Sequence, residues 1–408
     1  MNYREGPSGW KLTRMEDVCE LRKEAINPAE CSNMHYVGLE HIDTGNPKLK
    51  RNGNSSEVNS SKSRFYPGDI LYGKLRPYLD KSVLVDFEGL CSTDILVLKS
   101  KKSIAPQFLV NLIHTNQFLS YAISTSNGVN HPRTSWSSLS AFQFLLPPIP
   151  EQRAIALALR AVQGAREARQ REVALEREHK AALMEHLFTH GTRGEATKMT
   201  EIGEMPESWK VVTLGDRSFK PDYGYTASAS KNPSGPKFLR ITDIQEDHVN
   251  WDSVPYCDKC QDIEENYKLK SGDLVIARIG ATTGKIYLIH NCPDAIFASY
   301  LIRVRTRPGL SPDFLYFYCQ TKNYWEHINQ NKGGRLKGGV NIPILQRLPL
   351  PFPVVSEQDS ISKVLLACDS KIAALEQEAR LLQELFRAML EELMSGRLPT
   401  GALVEDKA

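Results

Sequence analysis

"PPIPEQRAI" spans residues 147–155 and "PFPVVSEQDSI" spans residues 351–361. Each places a proline-broken apolar run before Glu-Gln, then continues into a long stretch of helical periodicity. A phrase repeated at this distance points to a duplicated unit. Shifting the sequence by 206 residues lays "APQFLVNLIHTNQF" (105–118) on "SPDFLYFYCQTKNY" (311–324), with Pro106 on Pro312 and Phe108 on Phe314. "CSTDILVLK" (91–99) falls on "FASYLIRVR" (297–305), both strand-like. With small gaps, "YPGDILYGKLRPYLDKSVLV" (66–85) matches "KSGDLVIARIGATTGKIYLI" (270–289), and "PSGWKLTRMED" (7–17) matches "PESWKVVTLGD" (206–216). The order of the matched segments is the same in both halves, which predicts two copies of a mixed strand-and-helix domain, each followed by a long helix.

The helices carry the clearest local signal. Ile361, Leu365, Cys368, Ile372, Leu375, Ala379, Leu382, Phe386, Met389 and Leu393 follow an unbroken 4-3 spacing. That spacing gives one apolar edge in need of a partner helix. Ser356, ahead of Glu357 and Asp359, reads as an N-cap with acids in the first turn. In the first copy Ile155, Leu159, Val162, Val173, Leu183 and Leu187 keep the same positions, but Arg166, Arg169, Glu176 and Lys180 interrupt them. Such an edge suits an antiparallel partner of complementary charge. The segment 357–396 has 4 Lys+Arg against 8 Asp+Glu and supplies one. Forty residues of helix correspond to roughly 60 Å, so the expected layout is a ruler carrying two similar domains. The boundaries read as a first domain at 1–150, a helix at 151–190, a second domain at 191–356, a helix at 357–396 and a tail at 397–408. The fold class is α+β with a pseudo-two-fold internal repeat.

Composition narrows the function classes. A chain of 408 residues, 41% hydrophobic and 24% charged, is an ordinary globular one. No run is long and apolar enough for a membrane span or a signal peptide. Eight irregularly spaced cysteines suggest reduced thiols and a cytoplasmic setting. Residues 266–347 hold 12 Lys+Arg against 4 Asp+Glu, a local excess that suits a polyanion or a solvated surface equally.

These features together resemble the specificity subunit of type I restriction–modification systems, over essentially the whole chain. The resemblance rests on "FYPGDILYGKLRPYLDK", "CSTDILVLK", "SNGVNHPRTSWSSL", "LPPIPEQRAI" and "THGTRGEATKMTEIGEMPESWKVVTLGD" in the first half and the linker. In the second half it rests on "LKSGDLVIARIGATTGK", "LPLPFPVVSEQDSI" and "LEELMSGRLPTG". It implies two target-recognition domains on a coiled-coil helix pair that sets a spacer, with no catalytic residue in this chain. Double-stranded DNA and two methyltransferase (modification) subunits are the implied partners, together with restriction/translocase subunits. S-adenosylmethionine, ATP and Mg2+ belong to those partners, and this chain is implied to hold no cofactor. The second half departs from the pattern where "KGGRLKGGVNIPIL" replaces the Pro-Arg turn of "NHPRTSWSSL".

"GATTGK" (280–285) has three residues between its glycines, and Ile286 follows the lysine. A phosphate-binding loop needs four residues there and Ser or Thr after Lys. A tight turn projecting Thr282, Thr283 and Lys285 beside Arg278 is the better reading. "GKLRPYLDK" (73–81) occupies the equivalent place and gathers Lys74, Arg76, Tyr78 and Lys81, which suits phosphate positioning or a scaffold role at a solvated hairpin tip equally. Asn pairs with adenine and Arg or Lys with guanine, so Asn127, Asn130, His131 and Arg133 are candidate base readers in one domain. Lys332, Arg335, Lys337 and Asn341 are candidates in the other. Helix pairing falls to Ile155, Leu159, Val162, Ile361, Leu365, Ile372, Leu375, Leu382, Phe386 and Met389. "CDKC" (257–260) has no second pair at zinc spacing, so it reads as two free thiols, and no metal site is expected. No methyltransferase tetrapeptide, nuclease motif or hydrolase elbow is present. The expected function is therefore non-catalytic recognition of a bipartite, asymmetric DNA site. A coiled-coil protein scaffold that never meets DNA is the alternative.

Overall fold

A computed structural model describes residues 7–31, 33–233, 235–245, 248–258, 265–332 and 338–400. The chain divides into two compact units. One comprises Met1–Gln170 with Glu376–Ala408, and the other comprises Arg171–Leu375. Each unit therefore contains one globular copy, the start of one long helix and the end of the other.

In the first unit a two-stranded ribbon, Lys11–Arg14 with Gln143–Leu146, ties the beginning of the globular copy to its end. A four-stranded antiparallel sheet runs in the order Cys19–Leu21, Ile95–Ser100, Ile70–Gly73, Ser82–Leu84. Its central strands are apolar on both faces. Ile70, Tyr72 and Leu98 join a core with Phe108, Phe118, Phe142 and Phe144, while Leu71, Ile95 and Val97 join a second core with Val37, Phe65 and Val83. A strand buried on both sides reads as a continuous apolar run, which is why "DILYG" and "DILVLK" show little polar alternation. The second core lies under a five-stranded sheet in which His35–Val37 and Gly89–Cys91 pair in parallel.

The second unit repeats this plan. Lys210–Thr213 pairs with Pro349–Phe352. The sheet Asp222–Tyr223, Leu301–Val304, Leu274–Ala277, Ile286–Leu288 has the same strand order, and Lys237–Leu239 pairs in parallel with Ala295–Phe297. The helices Pro106–Ile113 and Asn116–Ser124 correspond to Pro312–Tyr318 and Lys322–Asn331. In both pairs a threonine caps the second helix: Thr115 accepts from Phe118 N and Thr321 from Tyr324 N.

The long helices run Ile149–His190 and Val355–Met394. The second begins upstream of the expected cap. Val354 C=O accepts from Glu357 N and Gln358 N, so Ser356 lies inside the first turn. The first helix begins equally early, because Pro150 needs no hydrogen-bond acceptor there. Glu-Gln serves the same purpose in both copies. Gln152, fully buried, accepts from Ala105 N at 2.8 Å and donates to Ser103 O and Pro147 O. Gln358 accepts from Ser311 N at 2.8 Å and donates to Gly309 O and Pro353 O. Each therefore fastens the start of a long helix to the helix pair of its own domain.

The preceding glutamate receives the far end of the other helix. In the first unit Glu151 accepts from Trp10 Nε1 and from Thr400 Oγ1. In the second, Glu357 accepts from Thr192 N and Oγ1 and pairs with Arg193. Gly396 and Gly191 close those helix ends at φ +72° and +65°, where a Cβ would strike Pro7 or Pro206 and Glu357.

Within each unit the helices pair antiparallel. Arg169 Nε meets Glu378 at 2.6 Å and Arg166 bonds Gln383 in the first. Lys371 Nζ meets Glu176 at 2.6 Å and Lys180 Nζ meets Asp369 at 2.5 Å in the second. The charged interruptions of one helix thus face complementary groups on the other. The apolar edge is not purely helix-to-helix, however. Ile155, Leu159, Phe386, Leu390 and Leu393 enter the first globular core, with Val162 and Met389 packed on its margin, and Ile361 and Leu365 join Leu187 and Phe188 in the second. Ile372, Leu375 and Leu382, between these ends, are only half-buried.

Cys257 is engaged in a disulfide, which corrects the free-thiol reading at that position. Cys260 lies outside the described residues. Cys19, Cys31, Cys91, Cys292, Cys319 and Cys368 are free.

Candidate nucleic-acid interface

In the first unit the segment 74–81 links strands Ile70–Gly73 and Ser82–Leu84, closed by Gly73 N donating to Lys81 O. Two non-glycine residues in it are left-handed, Arg76 at φ +53° and Asp80 at φ +47°. That conformation costs roughly 1–2 kcal/mol per residue, and neighbouring bonds hold it. Arg76 N donates to Pro132 O at 2.7 Å, and Asp80 Oδ1 meets His114 Nδ1 at 2.8 Å while His114 Nε2 meets Ser82 O at 3.0 Å. The second loop, 127–133, is closed by reciprocal 2.9 Å bonds between Asn127 and Arg133. Thr134 N donating to Lys74 O joins it to the first turn. Lys74, Arg76, Tyr78, Asn127, Asn130, His131 and Arg133 thus come together on adjoining turns. Arg76 Nη2 lies 3.3 Å from His131 Nδ1.

Two of these groups are already engaged. Lys81 Nζ donates to Leu39 O at 2.6 Å, so it supports the turn. Arg133 forms a two-pronged pair with Asp94, which raises its pKa above the ordinary arginine range. A guanine would have to displace that carboxylate. Val129, in the same loop, is 99% exposed.

The second unit repeats the backbone frame with different side chains. Ala277 N donates to Lys285 O, Arg278 N to Tyr300 O and Val340 N to Arg278 O, at 2.8, 2.9 and 2.9 Å. The corresponding bonds in the first unit are Gly73 to Lys81, Lys74 to Asp94 and Thr134 to Lys74, at 2.8, 2.9 and 3.0 Å. Arg278 stands where Lys74 does, and Tyr300 stands in place of Asp94. The Arg278 guanidinium sits 4.7 Å over the Tyr223 ring.

The glycines of "GATTGK" serve a turn: Gly280 and Gly284 have φ +89° and +91°, and Gly284 packs on Ile328 and Trp325. Thr283 is buried, with its hydroxyl donating to Gly280 O, so it does not project as expected. Thr282 is exposed and Lys285 partly so. Asn341 is an N-cap, its side-chain oxygen accepting from Ile344 N at 3.0 Å, in the role Ser135 plays toward Ser138 N. That bond occupies the oxygen a bidentate adenine contact needs. Lys332 is exposed at a helix end. Arg335 and Lys337 lie outside the described residues.

The basic stretch also proves partly internal. Arg303, buried, bonds Asp222 Oδ2, Asn266 O and Lys268 O, while Arg305 grips Asp273.

Two domains sharing one frame but presenting different exposed groups match a known design. The family model for the type I restriction modification DNA specificity domain matches residues 7–177 and 206–385. The chain belongs to this specificity-domain family. Among curated relatives, the Type I restriction enzyme EcoDI specificity subunit of Escherichia coli is 31% identical over 36% of this chain. That match spans 34% of the E. coli protein, about a third of its length. The putative type I restriction enzyme MjaX specificity subunit of Methanocaldococcus jannaschii is 23% identical, covering 97% of this chain and 95% of that one. The fold is also found in a chain solved in work on type I R-M complex assembly, 20% identical with a TM-score of 0.62, covering 97% of this chain and 100% of that one. A type I restriction–modification S subunit from M. genitalium is 13% identical with a TM-score of 0.58, covering 94% and 96%. The family match disfavours the scaffold reading. No helix among the described residues is long and apolar enough to cross a membrane.

Proposed function

We propose that each unit of this specificity-family chain contacts one half of a bipartite duplex site, and that the paired helices set the separation of the halves. The observation that carries this reading is the repeated turn frame. The same three backbone bonds present Lys74 and Arg76 beside the 127–133 loop in one unit, and Arg278, Thr282 and Lys285 in the other. Shared geometry with unlike side chains, Asp94 against Tyr300 above all, suits two different half-sites. Phosphate contacts fix register, and base-edge groups on the adjoining loops discriminate sequence.

The chain would deliver DNA to two modification subunits, and to restriction/translocase subunits, in the cytoplasm. S-adenosylmethionine, ATP and Mg2+ would act in those partners. A shallow groove of about 560 Å³ on the first unit's helix pair, between Ala165, Ala168, Leu381, Leu382 and Leu385, offers an apolar face for such a partner. Leu381 and Leu385 stand half out of it.

The test is binding of the chain, assembled with its modification partner, to a randomised duplex pool, followed by sequencing of the bound fraction. Enrichment of two short motifs at a fixed separation is expected. Enrichment of one contiguous motif, or none, would overturn the reading.

A further inference from the structure

We propose that the helix pair of the second unit carries a divalent transition-metal site, of the zinc type, formed by Glu176, His179 and Cys368. The ligand atoms of these residues lie within 4.8 Å of one another. Glu176 and His179 are one turn apart on the first long helix, and Cys368 reaches across from the second. A carboxylate, an imidazole and a thiolate are the donor types a borderline-soft cation takes in a tetrahedral site.

Three observations favour a cation over a purely polar contact. First, His179 Nδ1 stands 3.5 Å from Glu176 Oε1, long for a hydrogen bond. Two tetrahedral ligands at about 2.05 Å from one ion would be separated by roughly 3.3 Å. Second, the other carboxylate oxygen, Oε2, is held by Lys371 Nζ at 2.6 Å, which leaves Oε1 directed at the histidine. A hydrogen-bonded outer partner of this kind commonly orients a ligating carboxylate. Third, Glu176 and Cys368 are buried whereas His179 is 63% exposed at its side chain, so the cluster has one open side. That side gives an ion an entry path and a fourth ligand from water. The neighbouring Lys180 is neutralised by Asp369 at 2.5 Å.

Binding would exchange the Cys368 S–H bond for a metal–sulfur bond and release the proton to solvent, tying the two helices at one register. A search for metal spacing along the sequence misses the site because its cysteine lies on the other helix. The proposal rests on the helix pairing and is independent of how DNA is read.

Cobalt(II) titration of the full chain without DNA tests it. One equivalent should produce the absorption of a tetrahedral, thiolate-bound cobalt, and zinc(II) should displace it. C368S should abolish the sulfur-to-cobalt band, and H179A, at an exposed position, should weaken affinity at least about tenfold, the lower scale for loss of even an outer partner. Absence of the band at one equivalent, or its persistence in C368S, would overturn the site. If C368S does not fold, unchanged cobalt affinity in H179A would overturn it equally.

Discussion

Gln152 and Gln358 hold identical posts: each accepts a 2.8 Å bond from the backbone N–H just before a short helix, Ala105 or Ser311. Each also returns its amide to two carbonyls. Leucine at either position would remove these bonds, leaving Ala105 N and Pro147 O, or Pro353 O, buried without that partner. We expect Q152L and Q358L each to lower unfolding free energy by on the order of 3 kcal/mol, read from urea denaturation. A loss below about 0.5 kcal/mol would mean that the side chain is not the clasp described.

Buried cations should separate from DNA-facing ones. Arg303 is enclosed by Asp222 and backbone carbonyls. Its replacement by alanine should destabilise the second domain by about 1–3 kcal/mol, because the carbonyls of Asn266 and Lys268 lose a charged donor while Asp222 stays half exposed to water. R76A and K285A should leave the melting temperature nearly unchanged. Each should reduce the slope of log K against log salt by about 0.9 if its side chain meets one phosphate. Unaltered salt slopes in both would remove these turns from the interface.

Thiol chemistry supplies a pH test. Burial pushes Cys19 from its ordinary 9.0 up to about 12, partly opposed by Lys101, and burial also raises Cys91 and Cys319. The unfolded thiol ionises near 9.0 while the folded one stays protonated. The stabilisation is therefore fully present below pH 9.0 and is lost as pH rises toward about 12. Native Cys19 should resist alkylation at pH 9 and react at once in denaturant. Equal rates in the two states would contradict the burial.

The helix pair should act as a spacer. Removing one helical turn from both long helices, at matched positions between the two units, is expected to shorten the preferred gap between half-sites while leaving their sequences unchanged. A constant gap in the sequenced bound pool would show that the helices do not set it.

The repeat, the long helices and their charge complementarity were legible because each is written in local spacing: Glu-Gln after proline, an apolar 4-3 pattern, Arg and Lys where a hydrophobic residue would otherwise stand. What escaped depends on contacts distant in sequence. Ile361 and Leu365 have the same spacing as any coiled-coil residue, yet they pack into a globular core. Thr283 looks like a turn residue aimed outward until Gly280 O takes its hydroxyl. Asn341 resembles a base reader until the helix after it claims its oxygen. The charge of 266–347 suggested an open surface, but Arg303 and Arg305 are spent on Asp222 and Asp273.

The most direct measurement is the methylation motif laid down in cells expressing the chain with its modification partner, compared between wild type and two loop variants. N130A with H131A alters the first unit's loop, and T282A with K285A alters the second unit's turn. The account predicts a split motif in which each double variant relaxes one half and spares the other. A contiguous motif, or both halves changing together in either variant, would contradict it.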